Sequence, residues 1–130
     1  MNFYEKKYIV TKNEIDEYNH VNNVVYVQWM QEVSMDHWLL LIKNVPTPDY
    51  VWFVIRHEID YKGQGVLGDE ITVKTWVGAI KGIKSVRHFE IYKKATLLVK
   101  SQTTFCLLDA KTQKPRRITK EVTNLLLGQK

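Results

Sequence analysis

From Asn23 the chain continues without a glycine or proline until Pro46, and Pro48 follows closely. Within that run Tyr26, Trp29, Met30, Val33, His37 and Leu40 or Leu41 recur at helical spacing, so one stripe faces a core. The pattern predicts a helix over 23–42, about 30 Å long. Val24, Val27, Trp38 and Leu39 are apolar but lie off the stripe. A helix that is apolar beyond one stripe needs cover on more than one side. In a chain of 130 residues a partner subunit is one source of that cover.

The period then changes. Ile71, Val73, Thr75 and Val77 alternate with Thr72, Lys74 and Trp76, which is the two-residue repeat of a strand. Strands are predicted over 3–10, 51–62, 69–79, 84–93 and 96–108. Gly63, Gly65 and Gly68 make one turn, Lys81-Gly82 a hairpin, and Asp109 to Thr112 a polar turn. Thr119, with Glu121 soon after, suits the start of a short last helix ending near Gly128. Short connections between consecutive strands imply antiparallel pairing. One long helix on a sheet of about five strands is a two-layer α+β architecture, and the length fits one domain over 1–130.

The densest chemistry lies just ahead of the long helix, in Asp16-Glu17-Tyr18-Asn19-His20-Val21-Asn22-Asn23. Asn22 and Asn23 are good helix starters, since an Asn side chain accepts from free backbone N–H groups of the first turn. That end of a helix carries partial positive charge. A carboxylate beside an array of backbone donors can attack a carbonyl and hold the oxyanion that forms. Taken without any comparison, Asp16 and Glu17 also fit solvated turn residues, and Asn22 and Asn23 fit plain caps.

Composition narrows the class. The net charge is +5 and the pI about 9.3, which favours phosphate-bearing ligands, an acidic carrier protein or nucleic acid as partners, or simply aids solubility. Lys81, Lys84 and Arg87 flank one hairpin, and Arg116-Arg117 follow the last strand. A nucleic-acid binder would interleave aromatics with Lys and Arg on one strand pair, and that pattern is missing. The single Cys106 excludes an intrachain disulfide framework and fits a core position in a reducing compartment. His37, His57 and His88 are scattered without metal-ligand spacing. The N-terminus lacks an apolar signal region, and no stretch approaches the roughly 20 apolar residues of a bilayer span. The expectation is a cytoplasmic enzyme with no metal or cofactor and no nucleic-acid partner.

The element order, with Asp16-x-x-x-His20-Val21-Asn22-Asn23-x-x-Tyr26, resembles the hotdog-fold thioesterases. It is closest in pattern to the 4-hydroxybenzoyl-CoA thioesterase-like branch and the acyl-carrier-protein thioesterases. Gly68-Asp69-Glu70-Ile71 is similar to a strand start of that family, and Phe105 to Asp109 with its basic, proline-containing tail is similar to the last strand. The resemblance implies a hotdog fold: an antiparallel sheet wrapped around the helix, with a short C-terminal helix. It implies hydrolysis of an acyl-CoA or acyl-carrier-protein thioester. Asp16 takes the place of the catalytic carboxylate, as nucleophile or as base on water. The backbone N–H of Asn23 takes the place of the oxyanion donor. His20, Asn22 and Tyr26 match the motif and are assigned support in the acyl pocket. Lys84, Arg116 and Arg117 are assigned to the nucleotide phosphates. Tyr18 stands where plant acyl-carrier-protein thioesterases carry Asn, so their Asn–His pairing does not transfer, and His20 is placed as support rather than base. The family also implies a homodimer, or a dimer of dimers, with the site between subunits. Two alternatives remain open: a hotdog hydratase, and an acyl-CoA-binding module without catalysis.

Overall fold

A computed structural model describes residues 2–129. Its elements follow the order read from the sequence: β1 (Phe3–Ile9), α1 (Asn23–Leu41), β2 (Tyr50–Tyr61), β3 (Glu70–Lys81), β4 (Lys84–Lys93), β5 (Thr96–Asp109) and α2 (Lys120–Leu126). The five strands form one antiparallel sheet in the order β1-β3-β4-β5-β2. One face of the sheet packs on α1. The fold is the hotdog fold.

The alternation in β3 and β4 decides which face is buried. Ile71, Val73, Thr75 and Val77 are buried, and so are Ser85, Arg87, Phe89 and Ile91. From α1 the residues Val25, Tyr26, Trp29, Met30, Val33 and His37 are buried against that face. Each large apolar side chain buried there contributes about 1.5–3 kcal/mol. A second cluster, Val77, Val122 and Leu126, seats α2 beside Trp38, Trp52 and Ile80. Thr119 caps α2, its hydroxyl accepting from the Val122 N–H at 3.2 Å.

Boundaries shift by one or two residues from the sequence expectation, and three differences have a physical cause. The helical stripe ends at His37: Leu40 is exposed and Leu41 half-buried, and in the last turn it is Trp38, off the stripe, that meets the sheet, against Tyr50 and Trp52 of β2. The β3–β4 turn is Gly82-Ile83, with Gly82 at φ +63°, so β3 extends through Lys81. The segment 11–22 is more ordered than a polar loop. Residues Lys12–Glu14 form a 3₁₀ turn, in which the Glu14 carboxylate accepts from the Thr11 N–H at 2.8 Å. No helix among the described residues is long and apolar enough to cross a membrane.

Candidate active site

The motif ahead of α1 folds as a miniature hairpin. Ile15 and Val21 pair across it. The Asp16 N–H donates to the His20 carbonyl at 2.8 Å, and the Asn22 N–H donates to the Glu14 carbonyl at 2.9 Å. Asn19 turns the corner at φ +63°, a left-handed conformation that Asn tolerates better than most residues. Val21 is buried and fastens the hairpin to the core. Asp16 lies opposite His20 in this pairing, on the side away from the buried Val21.

Asp16 does two things at once. Its Oδ1 accepts from the Tyr18 N–H at 2.9 Å and the His20 N–H at 3.2 Å, the Asx pattern that closes such turns. Its Oδ2 has no hydrogen-bond partner among the described residues and is free to act. His20 pairs through its backbone with Val66, so it too is placed by the Gly65 loop.

The helix start follows directly. Asn22 is the cap: its Oδ1 accepts from the Val24 N–H at 3.0 Å, and its carbonyl accepts from the Val25 N–H at 2.8 Å. The Asn23 N–H has no acceptor among the described residues. It is therefore an open donor at the positive end of a 19-residue helix. Tyr26 is buried, and its hydroxyl accepts from the Gly65 N–H at 2.9 Å. Burial pushes its pKa up. A Cβ on Gly65 would stand 3.0 Å from a Val21 methyl, so glycine is what lets this loop close on the hairpin. Tyr26 thus holds the loop that holds the hairpin.

The basic residues divide. Lys84 and Arg117 are exposed. Arg116 is committed within the chain: its guanidinium pairs with Asp49 at 3.0 Å and Asp109 at 3.5 Å, and lies over the Tyr50 ring. Arg87, which the sequence groups with Lys81 and Lys84 at the hairpin, is instead buried under α1.

A cavity of about 340 Å³ lies between α1 and the sheet. Met30, Ser34 and Trp38 form its roof, and Trp52, Val54 and Phe105 line one side. Its floor includes one continuous row across four strands, Val77–Arg87–Thr103–His57, each residue paired with the next. The His57 Nδ1 and Thr103 Oγ1 lie 2.8 Å apart. Arg87 Nη1 donates to His37 Nδ1 at 2.8 Å and to Thr75 Oγ1 at 3.2 Å. A guanidinium only donates, so His37 Nδ1 is an acceptor and the ring proton sits on Nε2, 2.7 Å from Asn2 Oδ1. Burial, with Arg87 beside it, lowers the His37 pKa to about 4. Burial lowers the Arg87 pKa to about 10, which leaves it charged at neutral pH.

The structure brings Asp16, His20, Asn22 and the Asn23 amide together. It does not bring them to the cavity. The helix lining of the cavity begins at Met30, seven residues or about 10 Å along the axis from Asn23. No group of His, Cys, Asp and Glu among the described residues is placed to hold a metal ion.

The Asp16 carboxylate, with one oxygen tied and one without a partner among the described residues, lies on the hairpin that leads into the N-terminus of α1. The chain belongs to the acyl-ACP thioesterase family, whose N-terminal-domain model matches residues 1–126. Solved structures with the same fold include a probable thioesterase from Escherichia coli, 21% identical, with a TM-score of 0.85 over 96% of this chain and 97% of the other. The 1,4-dihydroxy-2-naphthoyl-CoA thioesterase of Synechocystis is 17% identical, with a TM-score of 0.79 over 96% of each chain. The 12:0-ACP thioesterase of Umbellularia californica is 18% identical, with a TM-score of 0.81 over 94% of this chain and 48% of that longer one. No curated protein matches the sequence significantly.

Proposed function

We propose that this thioesterase hydrolyses an acyl-CoA or acyl-carrier-protein thioester, with Asp16 as nucleophile or general base and the Asn23 amide as oxyanion donor. The observation that carries the reading is that Asp16 Oδ2 and the Asn23 N–H both lack partners among the described residues and lie on one hydrogen-bonded hairpin that leads into α1. The thiolate of a thioester leaves readily, so the main demand is stabilisation of the oxyanion. A well-aimed donor contributes about 3–4 kcal/mol to that, and a positioned base adds about 10²–10⁴-fold. His20 and the Asn22 cap keep the carboxylate and the amide in register. Lys84 and Arg117 are the cations free to meet a phosphate-bearing carrier. Arg116 would have to exchange Asp49 or Asp109 to join them.

The reading includes a homodimer. β2 is an edge strand of 12 residues, and Val51, Phe53 and Ile55 on it are exposed. A long apolar edge of this kind invites pairing with another strand. Val24, Met35, Leu39 and Leu40 leave a second apolar surface on α1 uncovered. β2 also walls the cavity through Trp52, Val54 and His57. A second copy paired there would bring its own hairpin towards this cavity, so that the carboxylate of one copy serves the acyl pocket of the other.

Thiol release from a panel of acyl-CoA and acyl-carrier-protein substrates tests the function. Release that is lost in Asp16→Asn is the expected result. No release from any substrate would overturn the assignment, whereas normal release by Asp16→Asn would overturn only the role of Asp16. Sedimentation as a stable, active monomer would refute the dimer.

A further inference from the structure

The cavity floor carries a charge that no carboxylate neutralises among the described residues. Arg87 is 4% exposed and joins no ion pair among the described residues. A guanidinium has five N–H donors. The two on Nη1 are used by His37 and Thr75, and neither acceptor is charged. Nε and Nη2 have no partner among the described residues, yet no fully enclosed side-chain nitrogen or oxygen among these residues lacks one. Nε and Nη2 therefore keep open surface, and for a residue this buried that surface faces the cavity it lines. The Ser85 hydroxyl, on the same strand face and also lining the cavity, is in the same position: buried in the fold, unpartnered and open to the void.

The edge left free is informative. Nε and Nη2 present two parallel N–H groups, the fork that meets both oxygens of one carboxylate. An isolated buried charge is costly, and an apolar residue would fill this position between Val77 and Thr103 at less cost. The rest of the lining is largely apolar, so the cavity combines a hydrophobic body with one cationic group on its floor. Asp16 and Asn23 of the same copy do not line it, and a thioester carbonyl, with its single oxygen, would use only half of the Arg87 fork, whereas a carboxylate uses both N–H groups. The volume is roughly twice that of a cavity that encloses benzene, room for an acyl chain of medium length.

We propose that the cavity takes an acyl group with a carboxylate at its far end, held on Nε and Nη2 of Arg87 with the Ser85 hydroxyl beside it. The substrate class is then the mono-thioester of a dicarboxylic acid. This rests on the hydrolase reading above for the thioester, but not for the binding of the carboxylate.

The test has two arms. In the first, kcat/KM is measured for octanoyl-CoA and for its ω-carboxy counterpart. Wild type is expected to favour the carboxylated substrate by at least about tenfold, because a built polar site left unpaired discriminates strongly. Arg87→Met should collapse or invert that ratio, and Arg87→Lys should restore part of it. The second arm needs no turnover: quenching of Trp38 and Trp52 fluorescence by the monomethyl and dimethyl esters of octanedioic acid. The monoester, which keeps one carboxylate, should bind wild type at least about tenfold more tightly, and Arg87→Met should erase the difference. Equal binding of the two esters by wild type overturns the proposal even if Arg87→Met does not fold. A clear preference in binding with no thioester turned over leaves the carboxylate site standing and removes the hydrolase reading. Hydrolysis with no preference between the two substrates does the reverse.

Discussion

The hairpin at 15–22 and the floor at Arg87 are both polar, but they are built in opposite ways. The hairpin is made of neighbours. Asp16 reaches Tyr18 and His20, Asn22 reaches Val24, and each of these side-chain bonds spans two to four residues. It lies at the surface, and its chemistry uses one free oxygen and one free N–H. The floor is made of distant partners. Arg87 meets His37 fifty residues away, and His57 meets Thr103 forty-six residues away. Its polar groups are buried among apolar neighbours, so each unmatched donor there weighs more than it would at the surface. Local bonds set up reactivity, while long-range register sets what the site can hold.

Breaking the local region should have the largest effect. Asp16→Asn keeps an Oδ1 that can accept from Tyr18 and His20, so the hairpin should survive while kcat falls by about 10²–10⁴-fold. Asp16→Ala removes the acceptor as well and should add a loss of stability, read as a lower melting temperature than that of Asp16→Asn. If both variants melt alike, the hairpin bonds matter less than the geometry implies.

That contrast also explains what the sequence disclosed. The helix, the five strands and the short last helix were legible because each obeys one period and is bounded by Pro, Gly or Asn. The Asn22-Asn23 helix start was legible because the cap's partner is nearby in the chain, while Asp16 and His20 were singled out by the family motif. The pairing of Ile15 with Val21 was missed, since two apolar residues flanking a polar run carry little strand signal. Arg87 was grouped with Lys81 and Lys84 because hairpins usually expose their charges. The signal against that was parity: Phe89 and Ile91 point inward, and Arg87 and Ser85 share their alternation. Tyr26 lies in the motif stretch, but its bond to Gly65 spans thirty-nine residues and no spacing announces it.

The floor should show itself next, through acid. His37 is held neutral, with its pKa at about 4 against an ordinary 6.5. Burial is the larger cause and Arg87 the second, and the Tyr4 ring stacks on the imidazole at 5.7 Å. The unfolded chain takes up this proton near pH 6.5 and the folded chain only near pH 4. The stabilising contribution is therefore complete above about pH 6.5 and is lost as the pH falls towards 4, a change of about 3 kcal/mol. Urea unfolding at pH 7 and pH 4.5 should show a steeper loss for wild type than for His37→Gln. Equal losses would mean that His37 is not the buried neutral group described.

Tyr26→Phe sharpens the link between the two regions. It leaves the Gly65 N–H without its acceptor and should cost about 1–3 kcal/mol by chemical denaturation. Because that loop supports the hairpin that carries Asp16, kcat should fall with it although Asp16 and Asn23 are themselves unchanged. Arg116→Ala should have the smallest effect. Its two ion pairs are partly exposed, and such pairs contribute about 1 kcal/mol or less. A rise in KM for CoA substrates, without a change in kcat, would show that Arg116 leaves Asp49 and Asp109 to meet the carrier.

The central claim is that the two regions form one site across two copies, the carboxylate from one and the pocket from the other. Mixed dimers test it most directly. One copy carries Asp16→Asn and keeps its cavity; the other carries Ser34→Trp, which fills the cavity roof, and keeps Asp16. Each parent dimer is inactive. The account predicts that purified mixed dimers recover about half of wild-type activity, because one of the two symmetric sites has both intact parts. Mixed dimers as inactive as their parents would contradict it and place the carboxylate and the pocket within a single copy.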